Sequence, residues 1–157
     1  MAAEYSANNV QTVAAGQPVI FTESPVPCNR GLVFHRDESG NFLLTSLART
    51  CGCSCNRPSY ETRYSVDFHA KIAVPTGGTV DAISLAISID GETDPSSIMT
   101  ITPVDVEEFG NVGAAIIVSV PSICGCESVS VRNIGADDIL VQNANIIFDL
   151  AGVQRVR

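Results

Sequence analysis

Apolar and polar residues alternate with a period of two through most of this chain, and that pattern limits what it can fold into. Between residues 64 and 74, Tyr64, Val66, Phe68, Ala70, Ile72 and Val74 share one parity, and Ser65, Asp67, His69 and Lys71 share the other. Successive side chains of an extended strand point to opposite faces, so this segment has one buried and one wet face. Wound as a helix, it would scatter the same apolar residues around its axis. The pattern recurs. Ile83, Leu85, Ile87 and Ile89 oppose Ala82, Ser84, Ala86 and Ser88, and Val129 and Val131 alternate with Ser128 and Ser130. Ile116, Val118 and Val120 form another inward row. Leu140, Ala144, Ile146, Phe148 and Leu150 read as one face, opposite Asn143, Asn145 and Asp149. Segments 10–21 and 32–47 supply further strands.

Turn chemistry separates these runs at Ser39-Gly40-Asn41, at Pro75-Thr76-Gly77-Gly78, at Asp90-Gly91, at Pro103 and at Gly135-Ala136-Asp137. Asp90-Gly91 predicts a two-residue type I′ hairpin, whose two central residues need positive φ. No long segment carries a 3.6-residue period, and residues 104–109 allow one helical turn at most. About eight to ten short strands predict one all-β domain, an antiparallel jelly-roll β-sandwich. The expected organisation is an N-terminal arm (1–9), the jelly-roll domain (10–153) and a charged C-terminal tail (154–157). The arm and the tail are the candidate docking segments.

The small neutral face of residues 82–88 suggests close packing against another sheet or subunit. So does a charged fraction of only 17% against 45% hydrophobic residues. Nine Lys and Arg against 17 Asp and Glu give a net charge of −8, and Lys71 is the single lysine. With no basic patch, binding to nucleic acid or to an anionic membrane is not expected. Residues 1–9 lack the basic and apolar regions of a signal peptide, and the longest apolar run, 114–118, falls far short of the roughly 20 residues of a spanning helix. There is no G-x-S-x-G element, Walker loop or G-x-G-x-x-G phosphate loop, so no enzymatic activity and no cofactor is expected.

The ordered set of strands resembles the trimeric TNF/C1q-like jelly-roll heads, in particular the bacterial branch at the tips of collagen-like filaments. The carrying segments are VAAGQPVIF (13–21), GLVFHRDESGNFLLTS (31–46) with its G-x-F-x-L element at Gly40, Phe42 and Leu44, and YSVDFHAKIAV (64–74). They continue with ISLAISIDGET (83–93) and VQNANIIFDLAGV (141–153). The resemblance implies a homotrimeric jelly roll. It departs from that family in lacking a Gly-X-Y stalk and in carrying a cysteine-rich insert, and no segment matches a receptor-contact motif. The whole-chain pattern, including the opening MAAEYSANNVQTVAAGQPVIF, also resembles small accessory proteins encoded beside the capsid genes of Firmicutes phages. That implies a structural virion protein, a capsid decoration or head-fibre trimer. Its partner would be a major capsid or other shell protein, and it would be made in the host cytoplasm and released by lysis. A carbohydrate- or host-surface-binding head is the second reading, weakened by the absence of Trp and by only 6% aromatic residues.

Six cysteines stand at Cys28, Cys51, Cys53, Cys55, Cys124 and Cys126. In extended backbone, thiols at i and i+2 lie about 6.5–7 Å apart at Cα, at or beyond the reach of a disulfide, so bridges should run between segments or subunits. Three readings stay open: a structural disulfide set, a thiolate metal site that would make this a metal-binding protein, and reduced, packed cysteines. His35 and His69 are both expected at the surface. Asp90, Glu92 and Asp94 have hard oxygen donors suited to calcium, and Asp105, Glu107 and Glu108 form a second acidic group. Each reads more simply as a solvated turn. Asn143 and Asn145 are candidates for contacts across a trimer axis.

Overall fold

The computed structural model describes residues 1–28, 30–47, 59–122 and 125–156. Among them are twelve strands and one 3-10 turn, Pro95–Ser97. The strands are β1 (Ala2–Ala7), β2 (Gln11–Val13), β3 (Glu23–Val26), β4 (Val33–His35), β5 (Phe42–Thr45) and β6 (Tyr60–Ala73). They continue with β7 (Ile83–Ile89), β8 (Glu92–Thr93), β9 (Met99–Ile101), β10 (Gly110–Pro121), β11 (Cys126–Asn133) and β12 (Ile139–Arg155). All pairings are antiparallel. The first sheet runs β10-β6-β12-β1-β3, with β2 also on β12; the second runs β4-β5-β11-β7-β8, with β9 also on β7.

The period-two reading holds in β6 and β10. Tyr64, Val66, Phe68 and Ile72 turn inward from the first sheet to meet Phe42, Leu44, Leu85, Ile87, Val129 and Val131 of the second. Phe42 sits at the centre, its ring 4.8–5.2 Å from those of Tyr5, Phe21 and Phe148. Burial pushes the Tyr64 hydroxyl up to about 12, and that hydroxyl donates to the Thr45 carbonyl. The expected hairpin forms: Ile89 pairs with Glu92 across Asp90 (φ 50°) and Gly91 (φ 85°). Gly40 also has no substitute, because a Cβ there would lie 2.5 Å from the Val19 carbonyl oxygen.

Four expectations change. Residues 1–9 are not a free arm, since Ala2–Ala7 is a strand of the first sheet, paired with β12 from Ala2↔Asp149 to Ala7↔Ala144. Likewise β12 continues through Arg155, paired with Tyr60, so most of the tail belongs to the sheet. The face read from Leu140 to Leu150 breaks at a bulge between Gln142 and Asn145, where Asn143 takes φ 51°. One extra residue there reverses the parity, so Ile139 and Val141 face the core while Leu140 is only half-buried. Residues 104–109 form an irregular loop rather than a helical turn.

The neutral face at residues 82–88 is packed over half its length: Ala86 and Ser88 are fully buried within the chain itself, while Ser84 is half-buried and Ala82 is exposed. The Ser88 hydroxyl has no hydrogen-bond partner among the described residues.

Candidate assembly interface

The outward face of the first sheet is the most distinctive surface among the described residues. β6 sends Arg63, Ser65, Asp67, His69 and Lys71 outward, and its neighbours complete three rows across the sheet. One row is Ala115, Asp67, Ile147, Glu4; the next is Gly113, His69, Asn145, Ser6; the third is Ile117, Ser65, Asp149, Ala2. Two shallow recesses lie on this face, the first over Gly113 and Ala115 of β10. One, of about 400 Å³, is lined by Asp67, His69, Gly113, Ala115, Asn145 and Ile147. The other, of about 350 Å³, lies over His69, Lys71, Asn111 and Asn143. Asn145 Nδ2 donates to Glu4 Oε1 at 2.6 Å, which ties the centre of the face together.

β10 closes this sheet as its terminal strand. It is 12 residues long and reads GNVGAAIIVSVP, without a charge. Its register with β6 is unbroken from Gly110↔Ile72 to Pro121↔Glu61. Exposed sheet edges in soluble proteins are blunted by charge, by proline or by a bulge, because bare N–H and C=O groups template pairing with another chain. β10 has none of these along its length except the terminal Pro121, and Ile117 on its outward row is 58% exposed. Sequence reading noted the apolar run 114–118 and missed the edge. The available signal was a charge-free strand carrying Gly113 and Ala115 on its outward parity.

Among the described residues, the other side chains singled out by the sequence are dispersed over the fold. His69 is exposed, as expected. His35 is not a surface residue: it is half-buried, stacked on Phe42 at 4.5 Å and 20°, with Nε2 3.0 Å from the Ser39 carbonyl oxygen. Long-range packing places it there, which its neighbours Arg36 and Asp37 could not reveal. Asp90, Glu92 and Asp94 do not converge. Asp90 accepts from Ser128 N and Oγ, and Asp94 caps the 3-10 turn by accepting from Ser96 N and Oγ. Glu108 accepts from Val104 N and Asp105 N, and Glu107 accepts from Thr76 Oγ1. Among the described residues, no group of three His, Cys, Asp or Glu side chains is placed to hold a metal ion. One acidic pair went unread. The Glu127 carboxyl hydrogen-bonds the Asp90 carboxylate, which raises Glu127 to about 7 and, with the Ser128 donors, holds Asp90 below its ordinary value.

Of the six cysteines, Cys51, Cys53, Cys55 and Cys124 lie outside the described residues. Cys126 is exposed and opens β11 opposite Thr45. Cys28 is half-buried, with its thiol 3.6 Å from the Met1 sulfur. Burial raises the Cys28 thiol, but backbone groups of Val33, Arg30, Leu32 and Gly31 outweigh it and hold its pKa below the ordinary value. The described residues flanking the other four cysteines meet at one pole. Ser122 N donates to Tyr60 O at 2.8 Å, and Leu47 N donates to Thr62 Oγ1 at 2.9 Å. The same pole holds both ends of the described chain, where Leu150 N donates to Met1 O and Val156 N to Ser59 O.

The architecture is that of C1q/TNF-type heads. The globular domain of zebrafish complement 1qA protein superposes with a TM-score of 0.63, at 14% identity over 98% of each chain. Eiger TNF from S. frugiperda superposes with a TM-score of 0.62, at 12% identity over 96% of this chain and 92% of that one. The PRD1 vertex protein P5 aligns over 96% of both chains at 12% identity, but its TM-score of 0.43 is too low to carry an argument. No protein-family model and no curated protein sequence matches this chain. The chain is thus an all-β antiparallel jelly roll of the C1q/TNF type, and at these identities the likeness fixes the fold alone.

Proposed function

We propose that this chain is a non-enzymatic structural head that assembles as a homotrimer through the outward face of the first sheet. The observation that carries the reading is the long, charge-free edge of β10 beside a face with a shallow recess over Gly113 and Ala115. A second copy covering that edge removes both its exposed apolar area and its template for misassembly. The trimer is read as a capsid decoration or head-fibre protein of a phage, seated on a major capsid or other shell protein. This finer role is supported by the resemblance of the whole-chain pattern, including the opening 21 residues, to phage accessory proteins. The six cysteines, Cys28, Cys51, Cys53, Cys55, Cys124 and Cys126, are read as a structural disulfide set. Such bridges would suit a particle that must persist outside the cell, each contributing about 2–4 kcal/mol.

Two measurements test the reading at its two levels. Light scattering at micromolar concentration is expected to give three times the 16.5 kDa chain mass; a monomer overturns the assembly. Cryo-electron microscopy of particles from the native source is expected to place trimeric density on an icosahedral shell. Density at a filament tip, or no particle carrying the chain, overturns the decoration role and moves a surface-binding head to first place.

A further inference from the structure

At the pole away from the chain ends, three loops adjoin. Glu107 N donates to Val74 O and Thr76 Oγ1 donates to Glu107 Oε1, both at 2.7 Å, which joins residues 75–82 to residues 102–109. Residues of the 78–83 and 133–139 stretches together line one small cavity of about 40 Å³, so the loop at 134–138 abuts the first. Val104 stands at the tip of the middle loop, 86% exposed, more than any other large hydrophobic side chain among the described residues. Val80 and Ile134 are exposed on the two neighbouring loops. The same three loops carry Asp81, Asp105, Glu107, Glu108, Asp137 and Asp138, all exposed, and contain no Lys, Arg or His.

Val104 is held in place. Glu108 Oε2 accepts from Val104 N at 3.0 Å and from Asp105 N at 3.2 Å, and Asp105 Oδ1 accepts from Val106 N at 2.7 Å. An aliphatic side chain on a fixed loop gives up little conformational freedom when a partner covers it, so its apolar burial is kept as affinity. An apolar anchor inside a polar rim is the anatomy of a protein-binding hot spot.

We propose that this pole is a docking end for a basic protein surface that carries an apolar cleft, with Val104 as the anchor. Charge selects the occupant. A second copy brings the same carboxylates on a chain of net charge −8, and nucleic acid or anionic lipid is repelled in the same way. A neutral apolar partner would desolvate the carboxylates without pairing them. Lysine and arginine around a cleft satisfy both features. The inference is independent of the capsid reading, and it holds for a monomer or a trimer.

The test uses the full chain, labelled for NMR, and two probes of equal length: an alternating lysine–leucine peptide and an oligolysine. The expected result is amide shift changes confined to residues 75–82, 102–109 and 134–138, with the lysine–leucine peptide bound about tenfold more tightly. Val104→Ser, at a site too exposed to threaten folding, should abolish that preference and leave oligolysine binding unchanged. Asp105→Asn combined with Asp137→Asn should weaken both probes, and added salt should do the same. Equal binding of the two probes, no binding of either, shifts centred on Asp90 and Glu92, or a preference that survives Val104→Ser would each overturn the proposal. So would shifts in these loops on adding a single-stranded RNA or anionic vesicles.

Discussion

Ile117→Lys places a charge at the centre of the β10 edge and separates assembly from folding. In the single chain Ile117 is 58% exposed, so its replacement falls among surface changes that shift monomer stability by about 0.5 kcal/mol or less. In a trimer that covers β10 the outcome differs. Full burial of an isoleucine side chain is worth about 1.5–3 kcal/mol, so covering the 58% still exposed contributes about 1–1.5 kcal/mol per interface. Three equivalent interfaces make about 3–4.5 kcal/mol, or roughly two to three orders of magnitude in the trimer–monomer equilibrium. The cost of burying an unpaired ammonium group adds to that. Light scattering over a dilution series is expected to show wild type as trimer and Ile117→Lys as monomer at micromolar concentration, with unchanged far-UV circular dichroism. Ile117→Thr keeps strand propensity and should give an intermediate shift. Glu92→Lys, on the exposed β7–β8 hairpin, should leave the trimer intact. If Ile117→Lys dissociates no sooner than wild type, or Glu92→Lys dissociates as readily, the interface lies elsewhere and the argument from the uncharged edge fails.

Three further outcomes are expected. Ser88→Ala removes a fully buried hydroxyl that lacks a partner among the described residues, and should stabilise the fold by about 1 kcal/mol in urea denaturation; a destabilised variant would mean that the hydroxyl has a partner. Glu127, with its pKa raised to about 7, contributes stability that is full below its ordinary value near 4.5 and is lost as pH rises through 7. Asp90, held low, contributes in the opposite sense, and its share is lost only in acid. Glu127→Gln should therefore match wild type near pH 4.5 and melt roughly 1–3 °C higher at pH 8, a modest gain because solvent screens the pair; equal melting points at pH 8 would refute the carboxyl pairing. Non-reducing intact mass should show a loss of two hydrogens per disulfide, and reduction should lower the melting temperature. Six free thiols in protein purified under oxidising conditions would end the bridge reading.

What was legible in the sequence follows from how far each signal reaches. Strand parity is local, so β6, β7 and β11 could be read from side-chain alternation alone, and Asp90-Gly91 carried its own turn because φ is a property of one residue. The bulge at Asn143 was not legible, since asparagine tolerates positive φ without requiring it, and only pairing with β6 exposes the extra residue. β1 was read as an arm because its inward row, Ala3, Tyr5 and Ala7, is mostly alanine. Alanine alternation is weak evidence of burial until β12 is known to lie beside it. His35 took its place from Phe42 and Tyr5, which are neighbours in space and not in sequence.

The distribution of charge gives the division of the surface a physical basis. At 17% charged residues overall, a 12-residue strand would hold about two, yet β10 holds none. Over the same molecule, the three loops of the far pole gather six carboxylates without a cation. A chain selected only to stay soluble would place charge where an edge invites aggregation, and this edge carries none along its 12 residues. Keeping an edge bare is tolerable when another copy covers it. Concentrating like charge at one pole then discourages covered assemblies from stacking end to end, while leaving that pole attractive to a basic partner. On the two proposals, the first sheet's face serves self-association and the loop pole serves recognition of something else. Because the two sit on different parts of the fold, Ile117→Lys and Val104→Ser should each abolish one behaviour and leave the other whole.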